Sequence, residues 1–219
     1  MAALAEGIAS GELLGDLKAS LTRYLSGLSI GSLIGVATGL LTGRSRFLHD
    51  TVGPVLNFCR STPSVALIPL AIVWLGIGEG SKIFVVAWGA TFPVWISTHA
   101  GVAEVEREYV WAARSLGVSR WRIYIEVYLP RALPYIISGI RIAVATGFFA
   151  LAAAEMAGAY EGIAFRIFQS HSMFRTDKMM VAILMIGCLG LASDRVFVAV
   201  ARRLVPWWKP QGSESKSEQ

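Results

Sequence analysis

Arg141 and Glu155 interrupt one apolar run of the chain, from about Leu133 to Gly158, and Asp194 and Arg195 interrupt another, from about Met179 to Ala201. Charges inside such runs either neutralise one another as ion pairs or face a solvated path along which a solute moves. Depth separates the two cases. Arg141 lies nine residues, about 14 Å of helix, from the start of its run near Ala132, and Asp194 lies eight residues, about 12 Å, from Arg202. The matching depths predict a structural ion pair between Arg141 and Asp194, with Arg195 free to compete or to snorkel. Glu155 has no basic residue identified at its own depth and is read as part of a gate or interface. A carboxylate repels oxyanions, so it is not an anion ligand. Thr62, Pro63, Thr91 and Thr146 join Glu155 as candidates for the lining of a solute path, although a membrane Thr commonly bonds its own helix.

No catalytic constellation accompanies these residues. His49, His99 and His171 are dispersed, so no metal site is expected, and there is no GxxxxGK[ST] phosphate loop. Cys59 and Cys188 stand far apart without ligand spacing and are read as packing residues rather than a disulfide. The chain is expected to be non-catalytic and to bind no cofactor itself.

The elements that must hold these charges are membrane helices. Of 219 residues, 54% are hydrophobic and only 16% charged, with a mean hydropathy of +0.56. That excludes both an ordinary soluble domain and a disordered chain. Asp, Glu, Lys and Arg are absent between Arg23 and Arg44, between Arg60 and Glu79, and between Lys82 and Glu104, leaving gaps of 20, 18 and 21 residues. Each gap is near the length of a bilayer span. With the two interrupted runs they predict five transmembrane helices in one all-α, polytopic domain over residues 1–219, with a core from about 20 to 205.

Basic residues concentrate on one set of connections, which holds Arg44, Arg46, Arg60, Arg107, Arg114, Arg120, Arg122, Arg131, Arg202, Arg203, Lys209 and Lys216. The bias places that set in the cytoplasm, the N-terminus outside and the C-terminus inside, with residues 210–219 a disordered tail. No signal peptide is recognised at the start. An outside N-terminus then implies either a helix that once preceded Met1 or a genuine five-span chain.

Gly27, Gly31, Gly35, Gly39 and Gly43 recur every four residues through the first span, a ladder for close helix approach in which Gly43 doubles as a possible C-cap. The run around Arg141 is dense in Ala and Gly and belongs inside a bundle or beside a path. Pro63, Pro69 and Pro93 break helix hydrogen bonding at membrane depth, which requires protein or a watery cavity alongside.

Residues 101–131 form a cytoplasmic loop. One helix, from about Glu104 to Leu116, is expected to stop at Gly117, and a second, N-capped by Ser119, to run to Leu129 before Pro130. Trp121, Tyr124, Ile125 and Tyr128 fall at i, i+3, i+4, i+7 on that second helix and form one apolar face. Ala112 and Ala113 leave the end of the first helix slim. The unit reads as a docking knob.

The stretch Trp111-Ala112-Ala113-Arg114-Ser115-Leu116-Gly117, followed by Ile123 and Leu129-Pro130, resembles the EAA loop of ABC importer permeases. Arg60-Ser61-Thr62-Pro63, Ala66-Leu67-Ile68-Pro69-Leu70, Trp74-Leu75-Gly76-Ile77-Gly78-Glu79, Ala154-Glu155-Met156 and Phe174-Arg175-Thr176-Asp177 resemble the nitrate/sulfonate/taurine branch. The resemblance covers about residues 20–205 and departs at Trp111, where the motif opens with Glu. It implies a permease subunit of the bacterial inner membrane, working with a second permease copy, two ABC ATPase subunits that use ATP and Mg, and an extracytoplasmic substrate-binding protein, with lipid around it and no nucleic acid. It assigns Ala112, Ala113 and Gly117 to close contact and turn geometry in ATPase coupling, Trp111, Leu116, Val118 and Trp121 to apolar docking, and Arg114, with Ser119 beside it, to the same surface. It suggests a small anion such as a sulfonate, taurine or nitrate. Similar sequences that carry heterocyclic vitamin precursors form one alternative, and an ATP-independent channel or secondary transporter another. A DNA-binding helix-turn-helix is excluded by the tether between two spans.

If Arg141 and Asp194 pair directly, Asp194→Asn lowers the thermal unfolding temperature of the detergent-solubilised chain, and the swap Arg141→Asp/Asp194→Arg restores part of it. A swap no more stable than the single variant argues against the pair.

Overall fold

A computed structural model of the chain describes residues 12–205. Met1, the tail 210–219 and the basic residues Lys209 and Lys216 lie outside the described residues. Every regular element within them is helical: α1 (Glu12–Arg44), α2 (Arg46–Ser61), a 3-10 turn (Ser64–Leu67), α3 (Ile68–Leu75), α4 (Glu79–Ala103), α5 (Arg107–Ser115), α6 (Arg120–Ile123), a π turn (Tyr124–Tyr128), α7 (Leu129–Gly158), α8 (Ile163–Ser172) and α9 (Thr176–Leu204). Four stretches are long and apolar enough to cross a bilayer: α1, α4, the continuous helix Arg120–Gly158, and α9. Among the described residues the pair α2 plus Ser64–Leu75, bent by 88°, makes a fifth if it counts as one span.

The centre of the bundle is α4, packed between α1 and α7. Its contact with α1 is made by the glycine ladder. A Cβ on Gly27, Gly31, Gly35 or Gly43 would fall 2.6, 2.8, 2.7 and 2.7 Å from the Cβ atoms of Val86, Ala90, Val94 and Val102 respectively, distances that real side chains do not reach. Gly43 is therefore the last rung and lies inside the final turn of α1. Below the ladder, Tyr24 stacks on Phe148 of α7 at 4.1 Å and donates its hydroxyl to the Val144 carbonyl at 3.0 Å. Around this pair cluster Ile68, Ala71, Val85, Val86, Ala150, Leu151 and Ala154. α9 lies outermost and is mostly exposed, with Cys188 on its surface.

Three elements differ from the sequence-based expectation, two of them for a backbone reason. The uncharged stretch between Arg60 and Glu79 is not a straight span. Thr62, preceding Pro63, is forced into extended conformation (φ −83°, ψ 116°), and the chain turns there before resuming as α3 with Pro69 in its first turn. The first helix begins at Glu12, a full three turns before Arg23, so Asp16, Lys18 and Arg23 are helical residues. The second loop helix does not stop before Pro130. Leu129 donates back to the Tyr124 carbonyl, an i to i−5 bond, and this π turn accommodates the amide missing at Pro130, so α6 runs on into α7 without a break. Pro93 is likewise absorbed within α4. The Gly89 carbonyl that it cannot serve is approached by Thr146 Oγ1 from α7 at 3.4 Å.

Because the ladder leaves no room for side chains, Gly31→Ala should cost roughly 1–3 kcal/mol, whereas Gly187→Ala, with nothing within 4 Å of the added carbon, should not destabilise. Thermal unfolding in one detergent measures both. Equal melting temperatures would contradict the packing.

Candidate functional site: the loop and the buried polar knot

The loop at the Arg44 end of the bundle is shaped by local rules. α5 spans Arg107–Ser115, three residues later in its start than expected, and ends in a Schellman turn. Val118 N–H donates to the Ala113 carbonyl at 3.1 Å and Gly117 N–H to Arg114 at 2.9 Å, with Gly117 at φ +73°. Ser119 then caps α6, its Oγ accepting from Arg122 N–H at 3.4 Å. Two faces result. Inward, Val110, Ile123 and Tyr128 are buried against Val102, Ala132 and Ile136, with Ala113, Val118 and Tyr124 packed at the edge. Outward stand Trp111, Leu116 and Trp121, 60%, 82% and 74% exposed, beside the exposed Ala112 and Arg114.

Val118 thus belongs to the inner face. The apolar face expected from spacing is split, because Tyr128 is buried while Trp121 and Ile125 point outward. Tyr124 stays at the boundary, its hydroxyl donating to the Leu40 carbonyl of α1 at 2.6 Å. The loop is consequently fastened to α1 by a hydrogen bond and to α7 by continuous helix.

At the opposite end lies a polar knot centred on Glu155. The side chain has no exposed surface, and a basic residue does meet it: Arg23 Nη1 donates to Oε1 at 2.9 Å. Ser20 Oγ donates to the same oxygen at 2.7 Å, and Ala164 N–H to Oε2 at 3.0 Å. Arg23, itself 1% exposed, also donates to Glu79 and to the Glu161 carbonyl (2.7 Å). Lys82 closes on Glu79 at 3.1 Å.

The start of α8 completes the assembly. Its leading amides are capped from other helices: Gly162 N–H by Asp16 Oδ1 and Ile163 N–H by Ser20 Oγ, both at 2.9 Å, and Ala164 N–H by Glu155. A carboxylate at these unpaired amides is favoured by both hydrogen bonding and the helix dipole. Gly162 sits at φ +126°, and a Cβ there would lie 2.5 Å from the Glu155 carboxyl carbon, so the backbone passes directly over the acid. Arg166 of α8 bonds Glu12 at 2.9 Å and also Asp16. Burial lowers the Arg166 pKa, but these two hydrogen bonds and their charges outweigh it, so the guanidinium titrates above its ordinary range.

The depth rule that pairs Arg141 with Asp194 would also have found Arg23. It lies 21 residues, about 32 Å, above Arg44, and Glu155 lies 23 residues, about 35 Å, above Ala132. What hid the match was treating Arg23 as the edge of a span rather than as part of one. The knot also contains α8, Ser20 and Asp16, which no motif marks.

Of the other sequence candidates, Arg141 Nε meets Asp194 Oδ1 at 2.9 Å and Arg141 Nη2 meets Oδ2 at 3.2 Å, a two-pronged contact between α7 and α9. Thr91 is buried and donates to the Ala87 carbonyl of its own helix at 2.8 Å. Thr146 faces α4 as described, and Thr62 with Pro63 occupies the vertex of the bend. His49 and His99, distant in sequence, stack at 4.7 Å. His99 Nδ1 and Trp95 Nε1 each lie 3.1 Å from Thr42 Oγ1, which itself donates to the Thr38 carbonyl at 2.8 Å. Among the described residues no three His, Cys, Asp or Glu side chains gather as a metal site would require.

Removing one member of the central pair should be costly. Arg23→Met leaves Glu155 buried without its cation and should lower stability by about 3–5 kcal/mol, while Arg23→Met/Glu155→Met should lower it less than the single change. Unfolding of the three proteins in detergent provides the comparison, and a double variant worse than the single would show that the pair is not the unit.

Comparison with known proteins places this architecture. The family model described as binding-protein-dependent transport system inner membrane component matches residues 31–206. The putative aliphatic sulfonates transport permease protein SsuC of Escherichia coli (strain K12) is 39% identical over 202 residues, which are 92% of this chain and 76% of that protein. The taurine transport system permease protein TauC of the same strain is 35% identical over 202 residues, 92% and 74% of the two chains. Among solved structures, an inward-facing MetNI methionine ABC transporter superposes with a TM-score of 0.69 at 23% identity, covering 86% of this chain and 95% of that one, a likeness of fold. The chain belongs to the family of binding-protein-dependent transport system inner membrane components, as a multi-pass permease subunit of ABC importers in the nitrate/sulfonate/taurine branch.

Proposed function

We propose that this permease carries a small anion, a sulfonate, taurine or nitrate, inward through a pathway formed with a second copy of itself, driven by two ATPase subunits docked on its 107–121 loop. The observation that carries this reading is the two-sided loop. Its outer face offers three large exposed apolar side chains, Trp111, Leu116 and Trp121, beside the slim, exposed Ala112, a surface suited to a cleft on a partner, while Ala113 packs at the inner edge. Its inner face is locked to the spans through Val110, Ile123 and Tyr128. Displacement of such a knob is transmitted to α7 through unbroken helix and to α1 through Tyr124. ATP and Mg belong to the partner, and this chain contributes motion. Trp111 in place of an acidic residue makes the contact apolar rather than ionic.

The second copy is supported by what α2 and α3 leave uncovered. Phe47, Val55, Phe58, Val65, Val73 and Trp74 are all more than half exposed on the bent pair, around the vertex at Thr62 and Pro63. Among the described residues no further element lies over them, and a twofold partner would line a path on that side. The basic loop end is cytoplasmic on this reading, the N-terminal side and the polar knot external, and an extracytoplasmic binding protein delivers the solute. The anion class is supported by the names of SsuC, which specifies aliphatic sulfonates, and TauC, which specifies taurine.

Gly117→Val places a β-branched residue at positive φ and should spoil the Schellman turn. In the reconstituted complex it should reduce binding-protein-stimulated ATP hydrolysis to the unstimulated level while membrane insertion, followed by fractionation, is unchanged. Normal stimulation in this variant would overturn the coupling assignment. Uptake of a labelled sulfonate that persists without ATP would instead favour a secondary transporter.

A further inference from the structure

A cavity of about 490 Å³ opens at the loop end, between the last turn of α1, the start of α2, the end of α4 and the outer turn of α5. Its wall holds Arg44, Arg46, His49, His99 and Arg114, and not one Asp or Glu. The half-buried Arg44 differs in this from the arginines packed between helices elsewhere. Arg23, Arg141 and Arg166 each close on a carboxylate. Among the described residues Arg44 pairs with no carboxylate, its Cζ lying 5.3 Å from the centre of the Tyr128 ring and its charge felt at Tyr124, and Arg114 has no ion-pair partner. Arg46 reaches Asp50 at 3.8 Å while 94% exposed, a pairing that water and salt screen heavily. Three guanidinium groups around a concave wall focus positive potential, two imidazoles beside them can add N–H donors, and guanidinium matches the paired oxygens of sulfate, sulfonate and phosphate. The volume takes such a group with several waters.

We propose that this cavity binds an oxyanion group of the sulfate, sulfonate or phosphate class. A bound anion bridges Arg114 on the loop to Arg44 and Arg46 on the spans, so it stiffens the junction across which the loop moves the helices. That consequence rests on the coupling reading above, whereas the site itself rests on the cavity alone. The oxygens can come from a free anion or from a lipid phosphate, and the two sources are separable.

The test is calorimetric titration of sodium sulfate into the full chain in phosphatidylcholine nanodiscs, at constant ionic strength balanced with chloride, repeated in discs containing phosphatidylglycerol. Saturable sulfate binding is expected in phosphatidylcholine, weakened about tenfold or more by Arg44→Gln/Arg114→Gln, less by Arg114→Lys, and unchanged by Arg203→Gln. Arg114→Gln alone, on the exposed loop, serves if the double variant does not fold. Binding that survives in phosphatidylglycerol supports a free anion, and binding lost there supports a lipid phosphate at the same site. No saturable binding in phosphatidylcholine, or undiminished affinity in the folded Arg-to-Gln variants, overturns the proposal. The titration needs no ATPase, so its outcome is independent of whether Gly117→Val uncouples hydrolysis.

Discussion

Glu155 is a carboxylate with no exposed surface, and the far end of the bundle is arranged around satisfying it. An isolated charge at that position would be prohibitive, and even a paired one is tolerated only with every oxygen occupied. Arg23 from α1, Ser20 one turn earlier and Ala164 N–H from α8 provide the occupants. Those demands fix the rotation of α1 about its own axis, the depth of α8 and the path of the chain over Gly162. Asp16 and Arg166 extend the same network outward to where water can share in it. With Glu79 at the start of α4, three stretches distant in sequence, α1, α4 and residues 155–166, thereby meet at one point, and none of them can move independently of the others there.

From that anchor, α1 runs toward the loop end along α4, held by glycine rather than by large side chains. Dispersion between closely approaching backbones replaces hydrophobic burial as the associating force, as expected where the surroundings are as apolar as the side chains. The same helix ends beside the loop, where Tyr124 grips its Leu40 carbonyl. One rigid element therefore links the polar knot at one end to the proposed docking surface at the other. The helix Arg120–Gly158 does the same on the other side of α4, beginning in the loop and ending at Glu155. Two levers pinned together at one end and joined to the same loop at the other suit the proposed conversion of a push on the loop into a change of the path between spans.

The uncovered surfaces complete the picture. α2 and α3 form a bent arm that is largely exposed apart from Ile68 and Ala71, which enter the core, and α9 leans on α7 mainly through the Arg141–Asp194 contact and a small apolar cluster around Ile137, Ala201 and Val205. In a soluble protein such apolar exposure would be a fault. In a bilayer it is the ordinary condition of lipid-facing helices and of surfaces awaiting another subunit.

The sequence by itself determined the class of protein, the approximate spans and the loop, because each depends on local quantities. Charge-free gaps report the bilayer length, Gly117 reports a positive φ, Ser119 a cap, and the four-residue spacing of glycine a stripe on one face of a helix. The pairing of Arg141 with Asp194 was legible too, since depth along a helix is arithmetic. Tertiary structure alone decided which carboxylates receive Arg23, that α8 exists to present its amides to Asp16, Ser20 and Glu155, and that Pro130 is absorbed by a π turn whereas Pro63 bends the chain by 88°. It also decided which side of the loop faces out, separating Trp121 from Tyr128, and which basic residues surround a cavity without an acid. Apart from the two proline turns, these outcomes depend on rotation about helix axes and on contacts between segments distant in sequence, 56 residues for Arg23 with Glu79 and 146 for Asp16 with Gly162, and no local pattern encodes either.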